Sequence, residues 1–225
     1  MQVLRQLLNG QAVDFHGEFV NLELDPPRIV EGATSPPFYF GGFSPAARDV
    51  AAAESDVFLT WPDTVASVGD TVNEMTTLAA ERYNRDLIYG LRAHVIVRDS
   101  EAEARAAAEH LVSKLDADTG DAIRNKSLDA ASFGVARQAA LREGAADDGF
   151  VEDNLWTGVG RARSGAGAAI VGNPDQVAAK LQAYQDVGIG AFITTYALQE
   201  PPHEVDGRWR MVIEGVMLER IGAAP

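Results

Sequence analysis

The sequence predicts an α/β fold in which short strands alternate with amphipathic helices. Four apolar runs have the length of strands, and stretches with helical periodicity follow or separate them. These runs are residues 37–41, 56–61, 88–98 and 191–196. Strands that alternate with helices of this length indicate right-handed βαβ crossovers and therefore a parallel sheet.

Each predicted helix begins at a recognisable capping residue. Ser44 followed by Pro45 fits the N-cap and the first position of a helix that reaches Glu54. The other starts are Asp63 or Thr64 for a helix to about residue 85, a capping box of Ser100 and Glu103 before residues 104–115, and Asn173-Pro174-Asp175-Gln176 for a helix to about residue 187. Gly188 and Gly190 end the last of these helices.

The remaining segments have weaker patterns. Residues 1–10 resemble the end of an amphipathic helix, residues 13–22 suggest a hairpin around Gly17, and residues 25–37 form a proline-marked loop. Residues 116–154 are poor in large apolar side chains and exceed a normal connection in length. This segment is interpreted either as a mobile, partly helical lid or as a disordered insertion.

The composition is that of a soluble globular chain with 225 residues and a net charge of -14 at pH 7. This charge argues against binding to nucleic acid or to an anionic membrane, and no apolar run reaches bilayer length. The chain has no cysteine, which excludes disulfides, thiolate ligands and cysteine nucleophiles within it and favours a reducing, cytoplasmic location. His16, His110 and His203 lack metal-ligand spacing, so no metal site is predicted.

The turn between the first predicted strand and its helix is a candidate anion site. Gly41, Gly42, Phe43 and Ser44 occupy this turn. Glycine lets the backbone approach a ligand closely, and the start of a helix offers N–H groups to a phosphate. The alternative is a well-capped turn with no ligand, because a glycine pair before a helix is a weak motif alone.

Four further positions are candidate site residues. Arg92 and His94 alternate on one strand and share a face, where they meet either a bound anion or a structural ion pair, while Leu91, Ala93, Val95 and Val97 pack under helices. Trp61 and Tyr196 end strands and either line a pocket or pack as ordinary core and rim aromatics.

Several segments resemble the luciferase-like flavin-dependent monooxygenases, and within them the alkanesulfonate monooxygenases most. The resemblance begins with three consecutive sequence motifs: Phe-Gly-Gly-x-Ser, an Ala-Ala-Glu helix and Val-Phe-Leu-Thr-Trp. Residues 13–18, 90–98, 154–160 and 163–172 continue it in the same order, so that it extends from Val3 to about Leu218. The resemblance implies a single domain of the (β/α)8 TIM-barrel family. The chain would cover roughly the last four β-α units, as a C-terminal half-barrel with a long insertion. It is then either a fragment of a longer protein or a natural half-barrel.

The resemblance also implies an activity. Reduced FMN, supplied by a separate NAD(P)H:FMN reductase, would react with oxygen and oxygenate the carbon beside sulfur in an alkanesulfonate or related organosulfur compound. Sulfite and an aldehyde would be released. On this hypothesis Gly41 to Ser44 hold the FMN phosphate, and Trp61 lines the substrate pocket. Arg92 and the loop residue Arg163 stabilise anions, and His94 and Tyr196 handle protons.

Other interpretations remain open at this point. The chain is either such an enzyme, a catalytically silent half-barrel that only binds a ligand, or a deazaflavin-dependent oxidoreductase of a related barrel family. A half-barrel has unpaired sheet edges, and exposed edges favour association. We therefore expect a homo-oligomer and no measurable activity from the chain alone.

Overall fold

The computed structural model describes residues 1–25, 34–115, 132–161 and 167–196, with the side chains of residues 195 and 196 outside this description. Its helices are α1 Gln2–Leu8, α2 Pro45–Glu54, α3 Val65–Tyr83, α4 Glu101–Val112, α5 Phe133–Glu143 and α6 Pro174–Asp186. Its strands are β1 Val13–His16, β2 Asn21–Leu24, β3 Tyr39–Phe40, β4 Val57–Thr60, β5 Ile88–Val97, β6 Phe150–Glu152, β7 Leu155–Trp156, β8 Ala169–Gly172 and β9 Ala191–Tyr196. None of the described helices is long and apolar enough to cross a bilayer.

The four predicted strand runs form a parallel array, as expected. β3 pairs with β4, β4 pairs with β5, and β5 pairs with β9, all in parallel register. Because Gly90 and Leu91 pair with both β4 and β9, these two strands lie on opposite edges of β5. The predicted hairpin is also present, since β1 and β2 pair antiparallel.

The helices begin where the sequence indicates. The Ser44 hydroxyl accepts a hydrogen bond from the Ala47 N–H at 3.2 Å, and Pro45 is the first residue of α2. Thr64 caps α3. Complete capping boxes start α4 at Ser100 and α6 at Asn173. Local hydrogen bonds of this kind depend on neighbouring residues alone, which is why they can be predicted from sequence.

The main core lies between the parallel strands and the helices. Leu91, Ala93, Val95 and Val97 are buried there against α3 and α6, as the alternation along β5 predicts. Phe40, Phe58 and Phe192 pack into the same core. Arg92 and His94 therefore lie on the opposite face of β5, where Ile88 is 55% exposed.

The sheet extends beyond the predicted strands. β8 pairs with the C-terminal end of β5. His94 and Val95 pair with both β8 and β9, so β8 lies on the edge of β5 opposite β9. This is the same edge that β4 occupies at the N-terminal end of β5. β7 and β6 continue this extension antiparallel. The sequence did not reveal these strands, because they have two to four residues and lack a clear alternation.

Residues 132–154 of the long segment 116–154 can be described. Its later part contains α5 and β6, which belong to the packed structure. Residues 116–131 lie outside the described residues. The lid interpretation stays a prediction.

Candidate functional site

A cavity of about 480 Å³ lies at the C-terminal ends of β3 and β4. The cavity has three walls: the turn after β3 with the start of α2, the end of β4 with the middle of β5, and the start of α5. The lining residues are Gly41, Gly42, Phe43, Ser44, Ala47, Leu59, Trp61, Arg92, Ser132, Phe133 and Gly134. The structure thus places six predicted site residues, the four of the turn with Trp61 and Arg92, around one space.

The glycine turn packs tightly on the helix that follows it. A Cβ atom at Gly42 would lie 2.7 Å from the Ala47 Cβ, and one at Gly41 would lie 3.3 Å from the Leu59 carbonyl oxygen. Gly42 is therefore needed for packing, and its predicted contact with a ligand stays a prediction. Because Gly42 has no side chain, the turn packs directly against the first turn of α2. In that first turn Pro45 has no N–H and the Ala47 N–H donates to the Ser44 hydroxyl, so the Ala46 N–H is the leading group without an intrahelical partner. The positive end of this helix is thereby brought to the cavity.

Arg92 is the only charged side chain that lines the cavity within the described part of the chain. It is exposed, because it points away from the core on the inner face of β5. His94 lies two residues further along the same face and is half-buried. It is not one of the lining residues, and it has an interaction partner within the protein. Arg92 therefore gives the cavity a permanent positive charge.

Trp61 both lines the cavity and packs against two backbone segments. A Cβ atom at Gly134 would lie 3.2 Å from the indole Cζ3, and one at Gly167 would lie 3.1 Å from the Trp61 Cβ. A side chain at either glycine would be accommodated only if Trp61 or the backbone shifted by a few tenths of an ångström. Both interpretations of Trp61, as pocket wall and as packing residue, thus apply to the structure.

Two predicted site residues cannot be placed in the same way. Arg163 lies outside the described residues. The backbone of Tyr196 ends β9 and pairs with Val95, next to His94, while its side chain is outside the description. Their roles stay predictions.

The sequence interpretation missed the third wall of the cavity. Ser132 caps α5 by accepting a hydrogen bond from the Val135 N–H at 3.1 Å, and Phe133 is 60% exposed beside it. The serine followed by a helical pattern was a usable start signal. The alanine-rich surroundings resembled an insertion, however, and gave no indication that this helix reaches the glycine turn.

A buried tyrosine supports the loop after Trp61. The Tyr184 hydroxyl donates a hydrogen bond to the Asp63 carbonyl oxygen at 2.7 Å. Burial raises the pKa of Tyr184, with smaller contributions from the carboxylates of Glu152 and Asp63. The phenol therefore stays a neutral donor over the whole physiological pH range. No group of three or more acidic or histidine side chains suited to a metal occurs among the described residues.

Comparison with known proteins identifies the family. A family model described as luciferase-like monooxygenase matches residues 1–191. The chain belongs to this family. It is 60% identical over 194 residues to the sulfoquinovose monooxygenase of Novosphingobium aromaticivorans, covering 86% of this chain and 53% of that protein. It is 47% identical over 196 residues to the sulfoquinovose monooxygenase of Agrobacterium fabrum, covering 86% and 51%. The chain thus spans about half the length of these relatives.

Solved structures confirm the predicted fold class. DmoA from Hyphomicrobium sulfonivorans superposes with a TM-score of 0.63 at 18% identity, covering 94% of this chain and 47% of that one. Riboflavin lyase with modified FMN and riboflavin superposes with a TM-score of 0.61 at 13% identity, covering 96% and 50%. Identities this low show the fold alone. This luciferase-like chain is an α/β half-barrel that corresponds to about half of such structures.

Proposed function

We propose that this chain belongs to a reduced-FMN-dependent monooxygenase that acts on an organosulfonate. In this proposal Gly41 to Ser44 are the phosphate-binding turn, and Arg92 forms the cationic wall of the site. One observation carries the proposal: the glycine turn and Arg92 line the same cavity. A turn suited to phosphate beside a permanent cation provides for two anionic groups in one site. The names of the relatives favour a sulfonated hexose, sulfoquinovose, as the substrate.

The described residues fit FMN in shape and chemistry. The cavity of about 480 Å³ has the size of a typical small-molecule site. The backbone N–H groups of the glycine turn and of Ala46 suit the phosphate. Phe43, Trp61 and Phe133 offer aromatic surface to a flat ring. Reduced FMN, when bound, supplies the electrons with which oxygen is activated.

The residues of the chain then have distinct tasks. Arg92, together with Arg163, binds the sulfonate and stabilises negative charge that develops during oxygenation. The imidazole nitrogen of His94 and the phenol oxygen of Tyr196 hold protons or donate hydrogen bonds. Trp61 and Phe133 exclude water from the space between them.

Ligand titration of the 225-residue chain tests the binding part of this proposal. FMN and riboflavin are titrated separately, with flavin fluorescence as the signal. Because riboflavin lacks the phosphate, we expect it to bind at least about tenfold more weakly than FMN. Equal affinities would show that the glycine turn does not hold the phosphate.

Arg92→Gln tests the cationic wall. Binding of sulfoquinovose, measured calorimetrically with FMN present, should weaken about tenfold or more, because a charge-assisted hydrogen bond to the sulfonate is lost. Arg82→Gln is the matched control, since Arg82 is exposed, pairs with Asp49 and does not line the cavity. Equal effects of the two changes would contradict the role of Arg92.

Activity requires the complementary half of the barrel. The chain is combined with the part of the Novosphingobium protein that its alignment leaves uncovered, and with a flavin reductase and sulfoquinovose. Release of sulfite from the combination is the expected result. A complex that binds FMN but releases no sulfite would favour the silent binding module. Binding of a deazaflavin in place of FMN would favour the third interpretation.

A further inference from the structure

Two adjacent polar side chains of α5, Gln138 and Arg137, bind this helix to segments next to the cavity. Gln138 is only 6% exposed and donates a hydrogen bond from Nε2 to the Pro62 carbonyl oxygen at 2.9 Å. Its Oε1 accepts a hydrogen bond from the Ala168 N–H at 3.1 Å. Gln138 therefore ties α5 to the segment after β4 and to the start of β8. Neither of these contacts reaches the glycine turn.

Arg137 makes the second attachment and reaches further. Its Nε lies 2.6 Å from Asp63 Oδ2, and its Nη2 lies 2.6 Å from the Ser67 hydroxyl. Asp63 is itself fixed, because its other carboxylate oxygen accepts a hydrogen bond from the Thr64 N–H at 2.8 Å. With its two ends bound in this way, the guanidinium has a defined plane and position.

The same guanidinium lies over the ring of Phe43, with its central carbon 4.9 Å from the ring centroid. Phe43 belongs to the glycine turn and lines the cavity. On another side its ring meets the buried Phe58 of β4 edge to face, with centroids 6.0 Å apart. The aromatic residue of the turn is thus held between the core and a side chain of α5.

We infer that Arg137 is a positioning residue that holds Phe43, and with it the glycine turn, in a fixed arrangement with α5. The phosphate turn and the aromatic wall of the cavity then behave as one unit, although they come from distant parts of the sequence. Arg137 acts through Phe43 and does not line the cavity itself. A residue that stabilised α5 alone would leave the turn unaffected, which makes the inference testable.

Hydrogen exchange of the ligand-free chain is the first test, because exchange reports local opening segment by segment. Arg137→Lys keeps the charge but loses the planar fork. It should raise exchange by about tenfold both in residues 133–143 and in residues 41–50. The measurement does not require a monomer. Arg137→Ala should raise exchange more strongly in the same residues. If the alanine variant does not fold, the lysine variant provides the test.

Two control variants separate positioning from general loss of stability. Gln138→Leu removes the two hydrogen bonds of Gln138 and leaves every contact of Arg137 in place, so it should raise exchange in residues 167–170 while residues 41–50 keep their protection. Arg105→Lys is the matched arginine. It pairs with Glu101 and Asp148 and lies 3.9 Å from the Phe150 ring, away from the cavity. It should affect neither α5 nor the turn. The inference is overturned if residues 41–50 keep their protection in Arg137→Lys. Equal loosening of these residues by Gln138→Leu, or a uniform rise over the whole chain, would overturn it as well.

A second test rests on the proposed function. If the turn holds the FMN phosphate, Arg137→Lys should weaken FMN binding about tenfold and riboflavin binding much less. Phe43→Leu should weaken FMN binding as well, and it should also weaken riboflavin binding because Phe43 offers surface to the flat ring. Adding Arg137→Lys to Phe43→Leu should cost little further FMN affinity, because both changes disturb one contact. Additive losses would overturn the inference. A wild-type chain that binds no FMN would refute the proposed function instead, and the exchange measurements would then decide the role of Arg137.

Discussion

Replacing Gly42 by alanine should destabilise the fold, whereas the same change at Gly41 should be nearly neutral. A Cβ atom at Gly42 would meet the Ala47 Cβ at 2.7 Å, about 1 Å inside an ordinary contact between carbon atoms. The Ala47 Cβ is attached directly to the helix backbone, so the contact can be relieved only by moving α2. At Gly41 the nearest atom is a carbonyl oxygen at 3.3 Å, which a small shift accommodates.

The magnitude follows from two opposing effects. Overpacking of this kind costs about 1–3 kcal/mol. Neither Gly41 nor Gly42 has a positive φ, so alanine also restricts the unfolded chain and returns about 0.4–1 kcal/mol. The net loss at Gly42 is therefore about 1–2 kcal/mol, and the net change at Gly41 is close to zero. For a domain of this size the loss corresponds to a decrease in Tm of about 2–8 °C.

Thermal unfolding followed by circular dichroism measures both variants against the wild type. All three are compared at one protein concentration, because association would make Tm depend on concentration. FMN is absent, so the result concerns packing alone. Equal Tm values for Gly42→Ala and the wild type, or equal losses at Gly41 and Gly42, would refute the packing argument.

Two further predictions concern the rest of the chain. Asp56 is partly buried, which raises its pKa, but hydrogen bonds from the Phe38 N–H and Arg5, with the charges of Arg5 and Arg85, lower it overall. A lowered folded-state pKa stabilises the fold above the unfolded value near about 3.9, and this is lost as the pH falls through the folded value. The urea midpoint of the wild type should therefore exceed that of Asp56→Asn at pH 7, and the two should converge once the pH falls below the folded-state pKa of Asp56. A difference that stays constant with pH would contradict this. Light scattering should also show that the chain associates. Ile88→Ser, on the inner face of β5, should reduce this association. Val50→Ser, which changes an exposed residue of α2, is the control and should not reduce it. A monomeric wild type would contradict the expectation of a homo-oligomer.

Local features of this protein were determined by the sequence itself. Ser44 with Pro45, Ser100 with Glu103 and Asn173 with Gln176 start helices because each cap involves residues within one turn. The alternation along β5 likewise separated buried Leu91 and Val95 from Arg92, since a strand has two faces. The wording around the glycine turn further indicated the family to which the chain belongs.

Long-range contacts were decided only by the tertiary structure. The strands β6 to β8 are too short to show a period. They form because the end of β5 offers a partner to β8, to which β7 and then β6 add. Residues 132–134 form a cavity wall because Arg137 and Gln138 bind α5 to the loop after β4, which no local pattern encodes. Gly42 is predicted to contact a ligand, and the structure adds a packing reason for the glycine, because the Ala47 Cβ lies 2.7 Å from where a Cβ at Gly42 would be. In each case the deciding atom lies on another element, and only folding brings it within contact distance.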